Sequence, residues 1–230
     1  VGVERFVTIA VSADNLSVVR ALAQRADEIW GTQGIHPHEA DSWNDDVAKA
    51  VFEGAQQPRI VAIGEIGLDY HYDHADRRAQ AVAFEAQLAM AQELDLPVVI
   101  HTRDADEDTQ AILANASNSL RKKGVIHSFT SGLSLAEHCL SEGFYLGFNG
   151  ITTFNRAENV RDVVRATPID QLVLETDSPY LTPVPYRGRV NSPLYLPLIA
   201  EKIAELKEID VEQLLTITRR NSLALFFDAP

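Results

Sequence analysis

The chain of 230 residues carries 33 acidic against 20 basic side chains, a formal charge of −13. Its hydrophobic share of 46% and charged share of 23% are ordinary for a globular protein and exclude disordered and fibrous classes. The acidic balance argues against a broad duplex-binding face, which needs clustered Lys and Arg, but leaves room for a narrow site where cations supply the positive charge.

The first predicted strand is Phe6–Val11, reached almost at once from Val1-Gly2-Val3, a start without methionine. Further apolar runs follow at Ile29–Ile35, Ile60–Ile66, Pro97–Ile100, Gly124–Ile126, Phe144–Phe148 and Leu172–Leu174. Most are apolar throughout, the pattern of strands covered on both faces in a parallel sheet. Helical patterns separate them. The clearest is Arg77 to Leu94, where Ala81, Phe84, Leu88 and Ala91 recur at helical spacing, and a late amphipathic helix spans Leu194 to Leu206. Cys139, the single cysteine, falls in a helical pattern as a small buried side chain and has no partner for an internal disulfide. No apolar stretch approaches the roughly 18 residues that span a bilayer, so no membrane contact is predicted and the expected compartment is the cytoplasm.

Repeated strand–helix units predict an α/β fold in a single domain over residues 1–230. A doubly wound sheet and a closed barrel both fit seven strands. Five of the runs end in polar, potentially reactive residues, as in Gly34-Ile35-His36-Pro37-His38, and no Gly-x-Gly-x-x-Gly turn follows the first run. These features favour a TIM-type (β/α)₈ barrel, whose active site forms at the strands' C-terminal ends.

Four ligand-type residues each close a different run: Glu65, His101, His127 and Asp177. Imidazole with carboxylate is the mixed donor set of transition-metal and zinc sites, and carboxylates also suit magnesium. Any one of them alone is readily a structural histidine or a capping acid. Four at separate strand ends point to a metal-assisted hydrolase, in which a cation acidifies water for attack on phosphorus or carbon.

Gly64-Glu65-Ile66-Gly67-Leu68-Asp69-Tyr70, His101-Thr102-Arg103-Asp104-Ala105, His127-Ser128-Phe129 and Glu175-Thr176-Asp177-Ser178-Pro179-Tyr180-Leu181 resemble the signature segments of the TatD family of metal-dependent deoxyribonucleases. Gly147-Phe148-Asn149-Gly150 and Pro183-Val184-Pro185-Tyr186-Arg187-Gly188 are similar to it as well, so the likeness runs through the chain in order. The resemblance implies a distorted barrel of the amidohydrolase type and magnesium-dependent cleavage of DNA, mainly as a 3′→5′ exonuclease. By position it implies two divalent ions, Mg, Mn or Zn, bridged by Glu65. His101 and His127 would hold one ion, and Asp177 would bind the other and act as general base. The implied partner is a DNA end, single-stranded, met by a monomer.

The family's first strand carries a His-x-His pair that no residue before Val1 supplies. His36-Pro37-His38 has that spacing but resembles a different segment. The expectation is therefore a barrel lacking its first strand–helix unit. His36 then either lines the pocket near a substrate phosphate or steadies the metal shell, and His38 is a loop residue. Glu175, two residues from Asp177 on the same face, is either a support or extra ligand for the metal, or an anchor for a neighbouring loop. Arg103 either grips a phosphate or pairs with Asp104 or Asp106. Asp69, Tyr70 and His71 belong to a loop over the pocket, with His71 and His74 at the surface or substrate edge. Tyr186 and Arg187 form a clamp for a stacked base and its phosphate, or else a solvated loop. Two other functions stay open: an amide or ester hydrolase, for example on an aminoacyl ester of tRNA, and a weakly catalytic protein that binds nucleic-acid ends.

Overall fold

The computed structural model describes residues 2–72 and 74–227. The fold is α/β of the TIM type, and seven strands are present among the described residues. They form two compact units, one spanning Glu4–Val125 and the other taking up the chain from Ile126 onward.

The first unit is built on β1 (Phe6–Thr8), β2 (Ile29–Gln33), β3 (Ile60–Asp69) and β4 (Val98–Arg103), with helices α1 (Leu16–Ala23), α2 (Asp45–Ala55), α3 (Arg77–Leu94) and α4 (Asp106–Ala116) between or after them. Neighbouring strands are parallel and follow chain order: Phe6 pairs with Ile29, Gly31 with Ile60, and Ile63 with Val98. All ten residues of β3 are buried, as expected of a central strand with both faces covered. Ile63, Ile66, Leu68, Phe84 and Ile100 are fully buried and form its core. The β3–β4 register slips between Gly64 and Ile66, so Glu65 sits on a bulge, a device that re-aims a side chain beside a site. Gly67 has φ +135°, and a Cβ there would overlap the His101 carbonyl oxygen, so only glycine lets β3 and β4 run this close.

Helix α3 matches the predicted bounds, with Asp76 as its N-cap accepting from the Arg78 and Ala79 amides. Its buried face differs from the expected one, because it includes Gln80 and Gln87 with Ala83, Phe84, Leu88 and Ala91, while Ala81 is only partly covered. The two amides are buried because they satisfy strand-end backbone, as described below.

The chain passes through β5 (Gly124–Ile126) into the second unit. There β6 (Tyr145–Phe148) and β7 (Leu172–Leu174) pair in parallel, Leu146 with Leu172, and are dressed by α5 (Leu133–Ser141), α6 (Glu158–Ala166), α7 (Leu196–Lys207) and α8 (Val211–Phe227). Phe129, Leu135, Phe144 and Phe148 fill its core. Cys139 is buried on α5. The late helix begins at Leu196 instead of Leu194 because Pro193–Tyr195 takes a tighter 3₁₀ turn ahead of it. No helix among the described residues is long and apolar enough to cross a membrane.

Candidate active site

In the first unit the end of the first apolar run holds two of the predicted residues by their backbone. The Ala10 carbonyl accepts from Glu65 N–H at 2.8 Å, and the Val11 carbonyl accepts from His36 N–H at 2.9 Å. Glu65, His36 and His101 then converge. Glu65 Oε1 lies 3.3 Å from His36 Nε2 and 3.1 Å from His101 Nδ1, and one ligand atom from each residue falls within 4.8 Å of the others.

Which ring nitrogen carries a proton follows from the other partners. His36 Nδ1 accepts the His38 amide at 3.0 Å, so the neutral ring carries its proton on Nε2 and donates to Glu65. His36 therefore braces the carboxylate. His101 is held from behind: its Nε2 lies 2.9 Å from Asp69 Oδ2. Asp69 is wholly buried, and its other oxygen accepts the His71 and Tyr72 amides at 3.0 Å each. Burial alone would raise the Asp69 carboxyl, but the His101 ring and the Tyr72 amide overturn that and hold it far below the usual carboxylate range.

With the His101 Nε2 proton committed to ionised Asp69, the Nδ1 lone pair faces Glu65 Oε1 at 3.1 Å. Two acceptors at that distance need a shared cation or a second ring proton between them. Ligand atoms about 2.1 Å from an ion and at right angles are about 3.0 Å apart, so the spacing matches neighbouring ligands of one divalent cation. The carboxylate–histidine pair behind the ligand is likewise the arrangement that orients metal-binding imidazoles. The donor set fits a metal.

Asp69 and His38 were not singled out as site residues from the sequence. Asp69 is the last residue of β3, not a loop residue, and the available signal was its four-residue separation from Glu65, which keeps both on one strand face. His38 lies in the 3₁₀ turn Pro37–Ser42 with Nε2 3.0 Å from Asp69 Oδ2, out of line for a hydrogen bond. Burial and the adjacent His36 ring lower its pKa against the opposing pull of Asp69. Two further residues had no signal in the sequence. Gln80 accepts from Asp69 N–H at 2.8 Å and donates to its carbonyl at 3.1 Å, and Gln87 does the same for Ile35 at 2.7 and 3.1 Å. One helix thus clips the backbone at Asp69 and at the residue before His36.

Arg103, at the end of β4, lies over the Tyr72 ring at 4.8 Å. It has no ion pair with Asp104 or Asp106 among the described residues, because Asp104 instead meets His71 Nδ1 at 2.8 Å. His74 stacks near Tyr72 and approaches the edge of His38.

In the second unit His127 and Glu175 come together. Glu175 Oε2 lies 3.3 Å from His127 Nδ1, while Oε1 accepts the Ser128 amide at 2.6 Å and the Asn149 side chain at 3.4 Å. A carboxylate at Nδ1 fixes the ring so that its lone pair is on Nε2. Gly147 makes space for this, since a Cβ there would stand 2.7 Å from Glu175 Oε2. Asp177 follows β7 with a left-handed φ of 57°, a conformation that Asp tolerates and that recurs just past other strand ends at Ser128 and Asp104. Tyr186 lies against Tyr195 with ring centroids 5.2 Å apart, and Arg187 covers Phe154 at 3.9 Å.

Residues 1–227 match the family described as TatD related DNase. The chain is 38% identical to the metal-dependent hydrolase YabD of Bacillus subtilis, over 97% of this chain and 88% of that one. It is 40% identical to the 3′-5′ ssDNA/RNA exonuclease TatD of Erwinia amylovora, over 94% and 83%. The crystal structure of YJJV, a TatD homolog from Escherichia coli, superimposes with a TM-score of 0.93 at 28% identity, covering all of this chain and 88% of that one.

Proposed function

Because the chain belongs to the TatD-related DNase family of metal-dependent hydrolases, we propose that it shortens single-stranded DNA or RNA from the 3′ end by hydrolysing phosphodiester bonds. The observation that carries this reading is the Glu65–His101 contact at 3.1 Å, with Asp69 behind the imidazole. A divalent cation (Mg, Mn or Zn) bound by these residues neutralises phosphate charge and acidifies water near neutral pH.

The protein's own side chains do the rest. Glu65 and His101 would hold the cation, braced by His36 and Asp69. His127, oriented by Glu175, would offer Nε2 as a metal ligand. Asp177 would help to hold a cation and would serve as the general base toward water. Arg103, whose guanidinium lies over the exposed Tyr72 ring, contacts a phosphate oxygen. Glu65 would also help to hold a second divalent ion. Such a site admits a polyanion despite the chain's formal charge of −13, because the cations carry the local positive charge.

The test is a single-stranded oligonucleotide labelled at either end and incubated with Mg²⁺ or Mn²⁺. Early release of the 3′ label as a mononucleotide, with a ladder from the 5′-labelled strand, is expected, and EDTA stops both. Asp177→Asn and His101→Ala reduce the rate at least a hundredfold. Variants that digest as fast as the parent overturn the assignment. Turnover of amide or ester substrates with intact oligonucleotides moves the reading to an amidohydrolase acting on carbonyl carbon.

A further inference from the structure

The stretch between Asp177 and Asn191 has no regular secondary structure, yet it is closely tied. The buried Asn191 side chain donates to the carbonyls of Thr176 and Tyr180, and the Asn191 amide donates to Pro179 O at 2.9 Å. Thr182 Oγ1 donates to the Arg189 carbonyl at 2.6 Å, the Val184 amide donates to Thr153 Oγ1 at 2.9 Å, and Tyr186 N–H donates to Pro183 O at 2.8 Å. Its ends meet, as in a compact surface loop held by its own contacts.

What this loop displays is unusual for an acidic protein. Tyr180 is 69% exposed, although its amide is bonded to the Asp177 carbonyl, and Val190 is 77% exposed. Arg187 and Arg189 lie over the Phe154 and Tyr186 rings at 3.9 and 5.2 Å, and neither has a carboxylate partner among the described residues. Exposed rings on a fixed loop are cheap to present, since little rotamer or backbone entropy remains to be lost on binding. Guanidinium groups without a carboxylate keep their charge for an incoming anion. Two arginines are too few for a duplex footprint but suit one or two phosphates of a single strand.

We infer that the 177–191 loop is a binding platform for unpaired nucleotides: Tyr180 and Tyr186 stack on bases of one strand, and Arg187 and Arg189 contact two of its phosphates. This deepens the proposed function and rests on it only for the role of Asp177, because binding is measurable without turnover.

The experiment compares a labelled strand of about eight thymidines with a strand of the same length and charge whose sugars lack bases. Anisotropy is recorded with the full chain in EDTA, which stops hydrolysis. The parent binds the base-bearing strand about a hundredfold more tightly than the abasic one, about tenfold for each of the two stacked bases. Tyr180→Ala and Tyr186→Ala each cut that preference about tenfold and leave abasic binding unchanged, while Tyr180→Phe retains it. The double variant Arg187→Ala, Arg189→Ala weakens both strands alike and flattens the slope of log K against log salt by about 1.4, at about 0.7 per phosphate. Equal binding of the two strands by the parent, or a preference that survives both Tyr→Ala changes, overturns the inference. The labelled-strand hydrolysis assay is independent: a stacking preference without cleavage sinks the nuclease reading alone, and cleavage without a preference sinks this one alone.

Discussion

Gln80 closes on the backbone of Asp69 as a second strand would, accepting its N–H at 2.8 Å and donating to its carbonyl at 3.1 Å. The Gln80 amide nitrogen also donates to Ala75 O at 3.0 Å, so one side chain satisfies three buried backbone groups. Gln80→Leu leaves those groups without partners and is expected to destabilise the chain by about 2–4 kcal/mol, read as a shift of the urea midpoint. Gln80→Glu keeps the acceptor for the Asp69 amide but sets a carboxylate oxygen against the buried Asp69 and Ala75 carbonyls, so it should cost at least as much as Gln80→Leu.

Asp69 itself acts on the site through His101. Asp69→Asn preserves shape but removes the charge that fixes the ring's proton on Nε2. Affinity for Mn²⁺, measured by titration calorimetry, should fall about 10- to 100-fold, the usual worth of a carboxylate behind a metal-binding histidine. Unchanged affinity would mean that Asp69 does not orient a ligand.

The Glu175–His127 pair can be disturbed from two sides. Glu175→Gln weakens the acceptor facing Nδ1, and Gly147→Ala introduces a methyl 2.7 Å from Glu175 Oε2 that must push it aside. Both should lower divalent-metal affinity, and the effect of the double variant should fall short of the sum, because both changes act on one contact. Additive losses would place Gly147 outside this contact.

Tyr70 offers a test at high pH. Burial and a 2.6 Å hydrogen bond to the Asp108 carboxylate push its phenol up to about 12. A pKa raised in the folded state contributes stability that is whole below the unfolded value of about 10 and disappears as pH climbs to about 12. Phenolate absorbance should show late titration from Tyr70 and from Tyr145, whose phenol burial also raises, and only the Tyr70 share is lost in Tyr70→Phe and shifted down in Asp108→Asn. The stability gap between the parent and Tyr70→Phe should close across that same interval.

The legible and hidden parts of the site differ in kind. Glu65, His101 and His127 were visible because each interrupts or ends a run of apolar residues, where a polar side chain has no structural excuse. Asp69 was not, since Leu68-Asp69-Tyr70 reads as the chain leaving a strand, and only the bulge at Glu65 and the ten-residue length of β3 keep Asp69 inside. Gln80 and Gln87 look like solvent-facing positions of an amphipathic helix. Their burial depends on strand ends far away in sequence whose amides and carbonyls lack other partners, which periodicity cannot reveal. The strand–helix alternation was readable for the converse reason: it is written in local patterns that need no tertiary partner.

Gln87 stands seven residues after Gln80, two helical turns along one face of α3, and each clips the amide of a different strand-end residue. The amide hydrogens of Ile35 and Asp69 are therefore protected by side chains of a helix and not by the strand ladder. In hydrogen exchange they should report the lifting of α3 from the sheet, in step with each other and out of step with the neighbouring ladder amides of β3. The residues beside Glu65, His36 and His101 would then take their exchange clock from a helix that adds no side chain to that cluster.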